Sequence, residues 1–451
     1  MPRARRSRIG SQPSSSTAAA AGDPHSSRGW LAGRRSPSKR PRRGDDDGTP
    51  LTDEILVGIF AGFPELADLV RCAATCRRWR RLVSGEAAFL CRTPRRPPGR
   101  FIRRLALGFF HHQDDAAPRF VPMSSASRLL GLQQPTSLNA LVESLDADGL
   151  FDSARVVASR NGLLVVDLRH GKSDRALKLC VCNPMTGEFH LLPPLSGKDG
   201  LGHYACTVLT ADDLDDKDKL SSYYRLVMVY TRRGFTAFRS YSSDDGRWSQ
   251  EGKVTNSRLG KKQMGLTRMG VVNPGGQVVF WLAKNVVFVL SLNTLSSALG
   301  RMPWSGNGRN FDMANTLLGL SPDGRLCAVQ FDPLSLSTAK RKVSICLSTC
   351  HGRVWWDTKE SIQVDQYLPP DVSKVKLRWF CEKSGVVFFT ASIESGDRRT
   401  EVYALSLATR TVEMVASHAG DGDPWENLHG YEMNQAAYLA SLAERDGMED
   451  M

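Results

Sequence analysis

The chain of 451 residues contains no run near the roughly 18 consecutive apolar residues that a membrane-spanning helix needs. No apolar stretch follows the basic opening Met1–Arg8, so no secretory signal is expected. Asn-x-Ser/Thr is absent. Together these absences predict a protein of the nucleus, the cytoplasm or both, with no membrane partner. The 10 cysteines include no Cys-x-x-Cys pair. Cys72 and Cys76 are four apart, as are Cys346 and Cys350, whereas Cys180 and Cys182 alternate. Zinc needs four converging ligands, so no metal site is expected, and the cysteines are expected to be reduced, small and mostly buried. Catalytic signatures are missing too. Gly171-Lys172-Ser173 ends like a phosphate-binding loop, but Val166 stands where its first glycine is required. There is no Gly-x-Ser-x-Gly elbow and no His-Glu-x-x-His. Hence no catalytic residue and no cofactor is expected. A hydrolase whose acids gather from distant segments would escape such a search. The acids Asp212-Asp213 and Asp215-Asp216, in a charged stretch reaching Lys219, are expected to lie in an exposed loop.

One charge sign dominates only locally. The net charge is +13, and residues 1–104 carry all of it, with 22 Lys+Arg against 9 Asp+Glu. A basic front on a neutral body predicts a solvated tail and one basic helical module rather than a basic domain.

Residues 1–48 are rich in Arg, Ser, Pro, Ala and Gly without apolar periodicity, so they are expected to be a disordered basic tail. Arg34-Arg35-Ser36-Pro37-Ser38-Lys39-Arg40-Pro41-Arg42-Arg43 within it reads equally as a nuclear import signal or as a merely solvated block. From Leu51 the period turns helical. Ile55/Ile59 and Leu56/Phe60 are i, i+4 pairs on one stripe. Thr52 is placed to cap the helix, Asp53 and Glu54 suit its dipole, and Gly62-Phe63-Pro64 ends it. Leu66, Leu69 and Val70 open a second stripe, and Cys72, Cys76, Trp79 and Val83 carry a third, with Arg77, Arg78, Arg80 and Arg81 on the polar side. Three short helices over 49–92 make a core too small to stand without a partner or a neighbouring domain.

A Pro/Arg linker (93–100) separates this module from a region of strand character, 101–430. Apolar runs recur between turn signals at 163–168, 177–182, 224–230, 277–282, 286–292, 326–331, 343–347, 386–390 and 401–407. Asn161-Gly162, Asp245-Gly246, Pro274-Gly275-Gly276 and Asp323-Gly324 punctuate them. The units around Trp248 and Trp355-Trp356 read as outer strands. A faint repeat of about 40–50 residues points to a β-propeller-like domain of six to eight blades, with a large β-sandwich pair as the alternative. A terminal helix is expected within Tyr431–Glu444, in a closing segment 431–451. The fold class is therefore mainly β with a small all-α module.

Leu51-Thr-Asp-Glu-Ile-Leu-Val-Gly-Ile-Phe, Phe63-Pro64, Leu66-x-x-Leu69-Val70-Arg71, Cys76-Arg-Arg-Trp79-Arg-Arg-Leu82-Val83 and Phe89 resemble the F-box. Two positions depart from that pattern: the usual opening Leu-Pro is inverted to Pro50-Leu51, and Gly58 stands where an acid is common. The segments Ser159–Leu164, Cys182-Asn183-Pro184-x-Thr186-Gly187, Leu192-Pro193-Pro194 and the ending Tyr431–Glu444 resemble the β-propeller-like region attached to F-boxes in a large plant group. The resemblance implies a non-catalytic, substrate-recruiting subunit of a Skp–cullin–F-box ubiquitin ligase. It implies a Skp-type adaptor as partner, a cullin–RING scaffold through it, and an unknown protein substrate on the β-rich domain. Leu51, Ile55, Leu56, Ile59, Phe60, Pro64, Leu69, Trp79 and Leu82 are the implied adaptor-docking candidates, not yet apportioned between core and interface.

The rival reading is nucleic-acid binding by the arginines running from Arg71 through Arg81 to Arg92, Arg95, Arg96, Arg100, Arg103 and Arg104. Trp79 alone is interleaved among them, and it belongs to the apolar stripe, so nucleic acid is the less expected partner. His203, Tyr204, Trp304 and Trp425 are the aromatic candidates for a binding face of the β domain.

Overall fold

The computed structural model describes residues 50–92, 101–112, 116–142, 149–169, 176–195, 203–214, 222–302, 315–331, 343–351, 355–394, 398–420 and 422–443. The expected tail 1–48 with its basic block and the linker 93–100 lie outside the described residues.

The helical module contains α1 (Asp53–Phe60), α2 (Leu66–Thr75) and α3 (Arg77–Gly85), where the apolar stripes place them, and a fourth, α4 (Ala87–Arg92), that they do not. Strong helix formers fill α4, and Ala87 and Leu90 turn inward to give the short segment a buried side. Thr52 occupies the cap position of α1 without a side-chain hydrogen bond. Cys76 instead caps α3, its Sγ accepting from the Trp79 N–H at 3.4 Å.

Six antiparallel sheets follow in chain order. Blade 1 begins with β1 (Ala106–His111), β2 (Arg119–Pro122) and β3 (Thr136–Ser137), with the short helices α5 (Ser124–Leu130) and α6 (Leu138–Val142) beside them. Blade 2 is β4 (Arg155–Arg160), β5 (Leu163–Asp167), β6 (Leu179–Asn183) and β7 (Glu188–Leu191). Blade 3 is β8 (Tyr204–Thr210), β9 (Tyr224–Arg232), β10 (Phe235–Ser242) and β11 (Arg247–Trp248), with β12 (Gly252–Lys253) also on β10. After α7 (Lys261–Gly265), blade 4 is β13 (Val271–Val272), β14 (Val278–Ala283), β15 (Val286–Ser291) and β16 (Ser297–Arg301). Blade 5 is β17 (Thr316–Leu320), β18 (Leu326–Phe331), β19 (Ser344–His351) and β20 (Trp355–Gln363). Blade 6 is β21 (Val372–Cys381), β22 (Val386–Ile393), β23 (Arg399–Ser406) and β24 (Thr411–Ala419).

The last strand, β25 (His429–Glu432), returns to pair with β1, Phe110 opposite His429, and so completes blade 1 from the far end of the chain. Radial closure of the ring leaves each blade with only short edges. The first strands contact one another in a ring, β25 to β4, β8, β13, β17, β21 and back to β25. They form the inner wall of a six-bladed β-propeller, and the sandwich alternative falls away. Trp248 and the Trp355 segment do lie on outermost strands, β11 and β20.

The terminal helix α8 (Gln435–Ser441) is shorter than the expected span. Residues 431 and 432 belong to β25, because ring closure claims them first, and Asn434 then starts the helix by accepting from the Ala437 N–H at 3.1 Å. α8 packs on α3 and α4. Its buried Tyr438 and Leu439 join Leu56, Phe60, Leu69 and Val83 of the module and Leu164 and Tyr431 of the propeller in one apolar cluster. The module therefore finds its missing core in the propeller's closing segment.

Candidate functional site

α1 divides the implied docking residues by burial. Leu56 and Phe60 are buried, with Phe60 edge-on to Trp79 at a ring distance of 5.2 Å. Leu69 is likewise core, and Trp79 and Leu82 are half-buried. Around the helix from them, Ile55 is 50% and Ile59 46% exposed, flanked by Leu51 and Phe63, and Pro64 is exposed beside them. Among the described residues, half of the large exposed apolar side chains sit in this short module: Leu51, Ile55, Ile59, Phe63 and Phe89. Phe63 and Phe89 belong to the F-box-like pattern but not to the docking candidates. The N-terminal end of the Ile55–Ile59 helix is fixed to α3. Arg78 donates from Nε to Asp53 Oδ1 at 2.9 Å and from Nη2 to the Leu51 carbonyl at 2.6 Å, tying the start of α1 to α3. Gly58 faces open space.

The arginines of the rival reading are largely occupied within the protein. Arg71 pairs with Asp68 at 2.7 Å, Arg80 donates to the Ala73 carbonyl at 3.2 Å, and Arg104 bonds the Pro64 carbonyl at 2.9 Å and pairs with Glu65. Arg95, Arg96 and Arg100 lie outside the described residues.

The inner strands run from one face of the ring to the other. Where they end, on the face that carries α8 and the helical module, buried charges converge. Arg160, at the end of β4, gives Nη2 to Asp213 Oδ1 at 2.7 Å and Nε to Glu382 Oε2 at 3.4 Å. Asp213 also accepts from the Thr210 N–H at 2.7 Å. Lys383 joins Asn161 Oδ1 at 2.7 Å and Asp212 at 2.8 Å, and Glu432 of β25 accepts from the Ser384 N–H at 2.6 Å. Blades 1, 2, 3 and 6 are thereby stitched together. Of the acids expected in an exposed loop, Asp212 is exposed, but Asp213 is corrected here: it is buried, because Arg160 supplies its countercharge from a neighbouring blade. Asp215 and Asp216 lie outside the described residues. Burial alone would raise the Asp213 carboxyl, but the Arg160 charge and hydrogen bonds outweigh it and hold it below the usual range. Glu382 shows the opposite balance. Burial pushes it up to about 7, opposed by Arg160 and reinforced by Glu432 and Asp213, and its Oε1 has no hydrogen-bond partner.

Of the aromatic candidates, His203 and Tyr204 lie together at the other mouth of the channel. Trp425 is buried between blades 6 and 1, its indole N–H bonded to the Thr400 carbonyl at 3.2 Å, and Trp304 is outside the described residues. All ten cysteines are free; six are buried and four half-buried.

These features define an F-box-type helical module fixed to a six-bladed propeller. The F-box-like family matches residues 53–92, the helical module. The family described as Domain of unknown function (DUF7595) matches residues 123–429, more than half of the chain, and the chain belongs to that family. Among curated proteins none matches. Among solved structures, the Pseudomonas aeruginosa periplasmic gluconolactonase PpgL is similar at 14% identity and a TM-score of 0.36, over 70% of this chain and 83% of that one. A functionally unknown protein from Desulfotomaculum acetoxidans is similar at 12% identity and 0.34, over 71% and 84%. A putative 6-phosphogluconolactonase from Bacteroides uniformis is similar at 12% and 0.34, over 70% and 83%. Likeness this remote extends to no activity.

Proposed function

We propose that this chain is the substrate-recruiting subunit of a Skp–cullin–F-box ubiquitin ligase, acting in the nucleus, the cytoplasm or both. The helical module docks on a Skp-type adaptor and, through it, on a cullin–RING scaffold; the propeller binds the protein to be ubiquitinated. The carrying observation is the exposed Ile55–Ile59 stripe, with Leu51 and Phe63 at its sides, on a module whose own core is already filled. A contiguous apolar face left over after folding marks a protein interface, and aliphatic and aromatic anchors at its centre dominate the binding energy. Fusion of the module with α8 supports the reading further, since a bound target would be held at a fixed orientation to the ligase.

The chain itself is non-catalytic in this account. Among the described residues, the acids buried at the module-side end of the channel are engaged within the protein rather than presented to a substrate: Asp213 and Glu382 with Arg160, and Glu432 with the Ser384 N–H. The nucleic-acid alternative loses support from the occupied arginines, and it predicts a steep loss of affinity with salt that the ligase account does not require.

Size-exclusion chromatography of the full chain mixed with a purified Skp-type adaptor tests the proposal. Co-elution as a stable complex is expected, and separate elution at micromolar concentrations overturns it.

A further inference from the structure

The channel end facing away from the helical module is open, a cavity of about 360 Å³ where the inner strands begin. That volume is within the range of ligand sites rather than of packing voids. Its wall is polar and cationic. Asp167, nearly buried, is shared by two arginines: Arg169 Nη2 lies 2.6 Å and Arg155 Nη2 3.5 Å from Oδ2, and the Tyr204 hydroxyl donates to the same oxygen at 2.8 Å. Across the mouth, Asp423 is likewise shared by Lys376, at 2.6 Å, and Arg378. Each carboxylate is thus outnumbered by its cations, and each trio keeps one positive charge. Arg268 and Glu426, also in the wall, offset one another. Among the described residues the mouth is therefore net positive, on a body whose residues 105–451 hold 38 charges of each sign. His429 adds nothing to this charge near neutral pH, because burial, with His112 and Arg155 nearby, pushes its imidazole down to about 3.

Two features make this a receptor rather than a salt-bridge patch. Arg155 and Arg169 come from blade 2, Arg268 from the segment before blade 4 and Arg378 from blade 6, so their convergence is a property of the ring and not of one exposed loop. Arg155 lines the cavity, and its side chain is 54% exposed even while paired. Guanidinium groups bind carboxylate and phosphate through paired, charge-assisted hydrogen bonds, and a partly desolvated cavity strengthens them.

We infer that the open channel mouth binds an acidic peptide segment, with a carboxylate or phosphate side chain inserted among Arg155, Arg169, Arg268 and Arg378. The inference rests on the substrate-recruiting role proposed above and supplies the chemical class of the recruited segment. It also gives that role a geometry, since target and adaptor occupy opposite faces of the ring.

Fluorescence anisotropy on the full chain tests this with labelled (Gly-Glu)5, (Gly-phosphoserine)5 and neutral (Gly-Ser)5 peptides. At least one acidic probe is expected to bind tenfold or more tightly than the neutral one, and which of them does so separates carboxylate from phosphate. The basic front of the chain attracts acidic probes in every variant, so the decisive readout is the difference between wild type and Arg155→Glu/Arg268→Glu. A tenfold or greater loss is expected there, a smaller loss in the milder Arg155→Gln/Arg268→Gln, and a change within twofold for Arg247→Glu on the outermost strand of blade 3. Unchanged affinity in both double variants, or no preference for either acidic probe, overturns the inference. Adaptor capture is measured alongside: mouth variants are expected to keep it, whereas Ile55→Asp/Ile59→Asp loses it and retains peptide binding, so failure of one reading is distinguishable from failure of the other.

Discussion

Arg160 and Asp213 form a two-pronged ion pair between blades 2 and 3, both side chains more than nine-tenths buried, and the same guanidinium turns its Nε toward Glu382 of blade 6. One side chain thus spans the channel end on which the helical module sits. Removing one member of such a pair leaves an uncompensated buried charge, at a cost of about 3–5 kcal/mol. Arg160→Ala is expected to lower stability by that order in urea denaturation. Arg160→Lys is expected to recover only part of it, because an ammonium cannot span both Asp213 oxygens. A loss below about 1 kcal/mol for Arg160→Ala, the size of an exposed pair, would contradict the assignment.

Glu382 makes stability depend on pH in the direction opposite to most carboxylates. Its folded-state pKa, about 7, lies above the ordinary 4.5, so between these values the folded protein holds the proton more tightly than the unfolded chain. Stability from this group is full below about pH 4.5 and is lost as pH rises through about 7. Asp213, held below its ordinary value, works the other way, and its contribution disappears as pH falls through the acid range. Thermal melts from pH 5 to 8 are expected to show wild type losing stability relative to Glu382→Gln as pH rises. Parallel profiles would remove the role assigned to Glu382.

Gly58 lies inside α1 with nothing within 4 Å of the position a Cβ would take. Glycine in a helix interior costs roughly 1 kcal/mol relative to alanine. Gly58→Ala is expected to raise the denaturation midpoint, and a lowered midpoint would show that the glycine meets a packing need.

Gly162 has the opposite constraint. Its φ is +85°, and a Cβ there would lie 2.9 Å from the backbone nitrogen of Asn434, the cap of α8. Gly162→Ala is expected to destabilise by about 1–2 kcal/mol from backbone strain alone. It should also speed amide exchange over residues 435–441, where α8 joins the module to the propeller. Unchanged exchange there would show that the turn and the helix are not coupled.

The strands legible in the sequence share one structural place. The nine apolar runs fall on β5, β6, β9, β14, β15, β18, β19, β22 and β23, the second or third strands of blades 2 to 6. These are sandwiched between neighbouring blades and read as continuous apolar segments. Inner strands such as β21, with Lys374, Lys376 and Arg378 among its apolar residues, touch the channel and mix polarity. Outer strands such as β24 are half-solvated, and neither class stands out from a loop. Blade 1 was hidden for a different reason, since its strands come from both ends of the chain and no local repeat spans them. In the helical module the spacing of Ile55, Leu56, Ile59 and Phe60 was readable, but the apportioning of that set was not. A stripe with two adjacent i, i+4 pairs has a buried and an exposed edge, and only the placement of α3 and Trp79 decides which is which. The arginines of the channel mouth carried no signal, because Arg155, Arg169, Arg268 and Arg378 are scattered along the chain and meet only once the ring closes.

The proposed adaptor docking rests on the exposed edge of α1. Titrating a purified Skp-type adaptor into wild type and into Ile55→Asp/Ile59→Asp by calorimetry measures it directly, with circular dichroism and thermal melts confirming that both proteins are folded. Both side chains are about half exposed, so the substitutions leave the core intact. Saturable binding by wild type and a loss of about a hundredfold or more in the variant is the predicted result, a magnitude expected of central interface anchors. Equal affinity in the two proteins, or no binding by wild type, would contradict the account.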